Sequence, residues 1–261
     1  MLSSLPSVCI IGFGAFGALA AELLAPHVAV SVIDPAPEAQ ARLRAEGLGA
    51  TELAGLAEVD LVLLAVPVPA LASCLREIAP HLRAGQIVID TCSIKEEPAR
   101  LMRDLLPEFV EILPTHPMFG PASARSGIAG LQIVLCPEGG DGWRPIAAFL
   151  RRALGLSVRR ATPVEHDRQA AVTQGLTHLL ARAFGELGPR PALRTRTFEM
   201  LLAALDLVRN DAAEVYDAVT LGNPHFAPAR DRLIAALLAG SPQKDAAPQK
   251  GEHLPGAISA E

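Results

Sequence analysis

One hexapeptide constrains this chain more than any other feature. Gly12-Phe13-Gly14-Ala15-Phe16-Gly17 follows directly on the apolar run Val8–Ile11 and opens the amphipathic stretch Phe16–Leu24. Glycines in this G-x-G-x-x-G spacing are a weak signal alone, but between a strand pattern and a helix pattern each has a reason to be there. The first permits the tight turn, the second lets a pyrophosphate come close to backbone, and the third lets the helix pack against the sheet. The N–H groups and positive dipole end of the helix then face an anion. Gly12, Phe13, Gly14, Ala15, Phe16 and Gly17 are therefore candidate dinucleotide contacts.

Asp34 closes the next apolar run, Ala29–Ile33, about 20 residues past the glycines, where a carboxylate takes the adenosine ribose 2′-OH. Its charge repels a 2′-phosphate, and Pro35-Ala36-Pro37 follows it rather than an arginine. NAD is the expected cofactor, with NADP possible. Val66 and Pro67 end the run Leu61–Val66 and are expected, from topology, to line the cofactor with backbone.

Further apolar runs at Gln86–Ile89, Glu111–Leu113, Leu131–Leu135 and Ser157–Arg160 read as strands. Pro37–Glu46, Pro69–Ala79 and Glu96–Leu106 read as helices. Strands without polar alternation, separated by helices, point to a parallel sheet covered on both faces. The fold class is α/β: an N-terminal Rossmann doubly wound parallel sheet followed by an all-α domain. Residues 1–161 form the first domain. Thr162-Pro163-Val164-Glu165 starts a helix, and 162–240 is almost wholly helical in pattern, a second, all-helical domain to which the family resemblance given below assigns substrate contact and dimerisation. Residues 241–261, rich in Pro, Ala, Gln and Lys without periodicity, read as a disordered tail.

Composition excludes several functions. The net charge is −5 and no basic stripe with interleaved aromatics appears, so no nucleic-acid partner is expected. Cys9, Cys74, Cys92 and Cys136 form no C-x-x-C pair and read as buried free thiols; no metal site is expected. The run Leu61–Ala72 is too short for a bilayer and carries Pro67 and Pro69, so no membrane association and a cytoplasmic location are expected.

Two segments carry candidate chemistry at strand ends, where such folds place substrates: Asp90-Thr91-Cys92-Ser93-Ile94-Lys95, and Thr115-His116-Pro117-Met118-Phe119-Gly120-Pro121 in the loop after the following strand. His116 can accept a proton near neutral pH, and Ser93 can hydrogen-bond a substrate hydroxyl. On local pattern alone, a histidine before proline in a loop is as often a turn residue.

These segments, followed by Glu165-His166-Asp167-Arg168 and Gln174-Gly175-Leu176-Thr177-His178, resemble the prephenate/arogenate dehydrogenase family over roughly residues 7 to 238. The Thr-His-Pro-Met-Phe-Gly-Pro string looks most like the arogenate-type branch. The resemblance implies oxidative decarboxylation of a cyclohexadienyl substrate, arogenate or prephenate, in tyrosine biosynthesis. His116 would take the 4-hydroxyl proton as hydride leaves for the nicotinamide, with Ser93 beside the same hydroxyl. His178, with Gln174 four residues before it in a single helix from Glu165 to Arg182, would face the substrate. A homodimer through the helical domain is also implied, and no fused tyrosine-sensing module is expected.

The chain departs from the family pattern in places. One branch carries a Glu after the His-Pro motif, where Ala122 or its neighbours stand here. Another carries an Arg where this chain reads Ala204-Leu205-Asp206-Leu207. A cation must still meet the substrate carboxylates. The candidates are Arg125, Arg194, Arg196 and Arg209, and the expected substrate set is His178, Gln174, Thr115 and Arg209. Alternative readings are a dehydrogenase of an amino-substituted prephenate or another hydroxy acid, and a non-catalytic NAD-binding sensor.

Overall fold

A computed structural model describes residues 6–240; the expected tail at 241–261 lies outside the described residues. The chain divides into two compact units, Met1–Val164 and Glu165–Glu261.

In the first unit the strands are β1 (Ser7–Ile11), β2 (Ala29–Ile33), β3 (Gly49–Ala50), β4 (Leu61–Leu64), β5 (Ile87–Asp90), β6 (Glu111–Pro117), β7 (Gln132–Leu135) and β8 (Ser157–Arg160). The helices between them are α1 (Ala15–Leu24), α2 (Pro37–Glu46), α3 (Val68–Ile78), α4 (Glu96–Leu105), α5 (Pro121–Ala124) and α6 (Trp143–Arg152). The strands form one sheet in the order β3-β2-β1-β4-β5-β6-β7-β8. The chain runs outward from β1 to β3, then resumes at β4 on the other side of β1. Such a reversal opens a crevice beyond the carboxyl ends of β1 and β4.

Both faces of the sheet are buried, which explains the unbroken apolar strands. Val8 and Ile10 of β1 pack with Ala20 and Ala21 of α1, Leu43 of α2 and Ala147 of α6. Cys9 and Ile11, the alternate residues, pack on the opposite face with Leu71 and Leu75 of α3 and Met102 of α4.

The pairing is parallel except between β6 and β7. That exception moves His116. Instead of lying in a loop after the strand, it sits inside β6, opposite Val134. Pro114 and Pro117 supply no N–H to a ladder and make the segment read as a break. The strand continues because its partner changes: Asp90 pairs with Pro114 on the parallel side, and Thr115 then pairs with Leu135 on the antiparallel side. The two-residue β3 has no sequence signal of its own.

The second unit contains α8 (Leu176–Glu186), α9 (Arg196–Arg209), α10 (Ala213–Val219) and α11 (Phe226–Leu238), entered from α7 (Pro163–Ala170). Between α7 and α8, residues Ala171–Gly175 form a π-helical turn, so the expected single helix is interrupted. A Cβ on Gly175 would come within 2.8 Å of the Phe226 ring and 3.0 Å of the Val219 carbonyl oxygen, so glycine permits this close packing. Among the described residues no helix is long and apolar enough to cross a membrane.

Candidate active site

The glycine turn is fixed from two sides. Gly12 donates to the Ile33 carbonyl at 2.9 Å, and its φ of +97° is a conformation that L side chains rarely adopt. A Cβ there would lie 2.6 Å from the Ala65 carbonyl oxygen, and one on Gly17 would run into the Gly12 carbonyl. Packing within the protein therefore accounts for both. Gly14 is different: a Cβ there would meet nothing within 4 Å. It stands at the N-terminus of α1, where no side chain caps the helix and no acidic residue occupies the first turn. An uncapped helix start facing open space fits a phosphate-bearing ligand.

Asp34 reaches back to this turn. Its carboxylate accepts the Phe13 N–H at 2.6 Å and the Ala36 N–H at 2.9 Å. The Phe13 ring is 2% exposed and belongs to the core, so only its backbone faces the turn. Arg42 of α2 lies 4.9 Å from that ring's centroid, a cation near the glycine turn that the sequence gives no reason to single out. Ala15 is exposed, Phe16 and Val66 are half-buried and Pro67 is exposed.

Beyond the last parallel pair, Asp90 with Pro114, a polar network joins the ends of β5 and β6. Asp90 accepts the Thr115 N–H at 3.1 Å and the Cys92 N–H at 2.8 Å. Lys95 Nζ donates to Asp90 Oδ2 and to the Thr115 carbonyl, each at 2.5 Å. Thr115 Oγ1 donates to the Asp90 carbonyl at 2.6 Å and is thereby engaged within the sheet. Ser93 is half-buried and His116 is 2% exposed, on the segments this network joins.

In the second unit, His178 and Arg209 line one cavity of about 400 Å³ with Arg182, Asp211 and Tyr216. His178 Nδ1 lies 3.0 Å from the Gln174 carbonyl and Nε2 lies 3.1 Å from Asp211 Oδ2. Arg182 stacks 4.8 Å from the Tyr216 ring centroid. The Gln174 Oε1 is buried without a hydrogen-bond partner. Asp211 and Arg182 had no signal in the sequence, because Asp211 meets His178 only through the fold. Of the other candidate cations, Arg125 lines a separate cavity in the first unit with Arg42, Arg194 is exposed, and Arg196 pairs with Glu199 at 3.9 Å. Arg209 pairs with Asp206 at 3.3 Å. Among the described residues no cluster of His, Cys, Asp and Glu could hold a metal ion.

The reversed parallel sheet, the glycine turn and the acidic end of β2 define a dinucleotide-binding protein of the Rossmann class. The sequence profile of the prephenate dehydrogenase nucleotide-binding domain matches residues 18–157, and the chain belongs to that family. It is 26% identical over 187 residues, 67% of its length, to a probable arogenate/prephenate dehydrogenase of Methanocaldococcus jannaschii, and covers 41% of that protein. The matched stretch thus spans less than half of that relative's length. It is 30% identical over 251 residues to a cyclohexadienyl dehydrogenase of Zymomonas mobilis, covering 88% of this chain and 85% of that one. The fold is also that of a prephenate dehydrogenase from A. aeolicus solved with hydroxyphenyl propionate and NAD+, with a TM-score of 0.72, 18% identity and coverage of 92% and 90%.

Proposed function

We propose that this protein is an NAD-dependent dehydrogenase that oxidatively decarboxylates a cyclohexadienyl substrate, arogenate or prephenate, in tyrosine biosynthesis. The observation that carries this reading is the placement of His116 and Ser93 on neighbouring segments at the carboxyl edge of β5 and β6. A titratable base there suits removal of a hydroxyl proton.

The glycine turn, Asp34, Val66 and Pro67 hold the dinucleotide, and Asp34 favours NAD over NADP. When bound, the nicotinamide supplies the hydride acceptor. His116 takes the proton from the ring 4-hydroxyl, and Ser93 hydrogen-bonds the same oxygen and fixes its orientation. Carbon dioxide leaves C1 as the ring becomes aromatic, so no second base is required. Arg209 and His178, with Gln174, are assigned to the substrate carboxylates; Thr115 supports His116 rather than touching substrate, since its hydroxyl is engaged at Asp90.

A homodimer through the second unit belongs to the same reading. Leu193, Leu221 and Leu238 are 92%, 81% and 83% exposed, and Met200 and Leu237 are 61% and 68% exposed. Apolar exposure of this extent on one small helical unit favours a covering partner.

The test is reduction of NAD by the purified protein, with prephenate and arogenate supplied in parallel, for wild type and His116→Asn. The reading expects turnover of one or both, with kcat lower by about 10²-fold or more in the variant. Dinucleotide binding without turnover of either would overturn it, and would favour an amino-substituted prephenate or a non-catalytic sensor.

A further inference from the structure

We propose that Asp90 and Lys95 form a buried clamp that holds His116 and Ser93 in register, so that Lys95 is a positioning residue of the reaction. The inference rests on the roles given above to His116 and Ser93.

Lys95 and Asp90 side chains are both 0% exposed. Lys95 stands one residue before α4, at the end of the Asp90–Lys95 segment, and its side chain turns back into the sheet edge. Two fully buried charges are a poor way to gain stability alone, because apolar residues of similar volume hold two strands together as well or better. Apolar residues cannot, however, satisfy the backbone groups that this pair satisfies. Asp90 takes the N–H groups of Cys92 and Thr115, and Lys95 takes the Thr115 carbonyl. Those are the residues immediately before Ser93 and immediately before His116.

The location explains the need. The β5–β6 ladder ends at Pro114, which has no N–H, and β6 then changes partner to β7. At this joint β7 pairs with the backbone on one side, while on the β5 side, where the ladder has ended, the backbone before His116 is held by side chains. Thr115 is gripped at its N–H, its carbonyl and its hydroxyl, all by Asp90 or Lys95. The imidazole is therefore carried by the residue that directly follows this triply held one. Ser93 is framed likewise, between Cys92, held by Asp90, and Lys95 itself.

The test compares Lys95→Met, Asp90→Asn and the double variant by melting temperature, by KM for NAD and by kcat. Lys95→Met alone strands a buried carboxylate and is expected to lower the melting temperature or prevent folding. The double variant removes both charges but leaves the Thr115 carbonyl without its donor, so it is expected to melt above Lys95→Met and somewhat below wild type, keep its KM for NAD and lose about 10²-fold in kcat, the scale of a small misplacement of a reacting group. Recovery of kcat together with melting temperature would overturn the clamp, since a structural role alone predicts that result. If wild type turns over neither substrate, the functional reading fails and the clamp is tested by NMR. The His116 ring resonance, assigned by its loss in His116→Asn, should shift or split in the double variant while that of His178 stays in place. An unmoved His116 line would overturn the clamp independently of activity.

Discussion

His178 is held between two acceptors: the Gln174 carbonyl at 3.0 Å from Nδ1 and the Asp211 carboxylate at 3.1 Å from Nε2. The two partners fix the orientation of the ring in the cavity, and Asp211, 32% exposed at its side chain, is the member of the pair that reaches solvent. Asp211→Ala removes a hydrogen bond made to a charged carboxylate. It should destabilise the protein by about 1.5–3 kcal/mol in urea unfolding and raise the substrate KM, leaving the KM for NAD unchanged. A variant with wild-type stability and substrate KM would show that the pair is incidental.

Asp34 connects the end of β2 to the glycine turn through Phe13, with Ala36 as its second donor. The carboxylate therefore shapes the turn as well as presenting charge beside it. Asp34→Asn keeps an acceptor but loses the charge. Its Kd for NAD should rise about tenfold, the loss of one charged hydrogen bond, while NADP binding weakens less or improves. Titration of both dinucleotides by fluorescence decides the matter: a proportional loss for the two would mean that Asp34 acts on the turn alone.

Burial pushes the Cys74 thiol up to about 11, with the Glu77 charge adding to it. Burial likewise raises the Cys9 thiol against the opposing bond from Ser31, and it raises Cys92 further, with Asp90 adding. In the unfolded chain these thiols ionise near 9.0. The folded state thus holds protons that the unfolded state releases, so the stabilising contribution of Cys74 is complete below about pH 9 and is lost as pH rises toward 11. Urea midpoints should fall across that window, and Cys74→Ala should fall less steeply than wild type. At neutral pH, thiol reagents should label the native protein slowly and the unfolded protein at once.

The fold was legible because its signals are local. Val8–Ile11 and Leu61–Leu64 are apolar on both faces since each face meets helices, and the glycine turn lies next to the strand and helix that explain it. The joint at β6 was not legible, because Pro114 and Pro117 argue locally for a loop and only β7, from a later segment, keeps the chain extended. Lys95 was visible as part of the Asp90–Lys95 segment, but its burial was not, because that depends on Asp90 and on Thr115 from the following strand. His178 was visible as a residue type, but Asp211 becomes its neighbour only when α8 packs against α9. The π-helical turn at Ala171–Gly175 ends at Gly175, which packs closely on Phe226 and Val219, and no periodicity within the segment records it.

The three glycines of the turn should separate folding from binding. Gly17→Ala drives a methyl into the Gly12 carbonyl, and Gly12→Ala both collides with Ala65 and forces a non-glycine residue to a φ of +97°. Strain of this kind costs about 1–3 kcal/mol, so both variants should melt below wild type before any ligand is added. Gly14 has no such internal constraint: its φ is −67° and the space before it is open. Gly14→Ala should therefore fold with wild-type stability. A methyl there would occupy the approach to the uncapped start of α1, so Kd for NAD should rise about tenfold or more. Calorimetric melting without ligand and NAD titration of the same three proteins make the comparison. If Gly14→Ala bound NAD as wild type does, the phosphates would not pass in front of Gly14, and the assignment of this turn as the dinucleotide cradle would fail even though the fold stood.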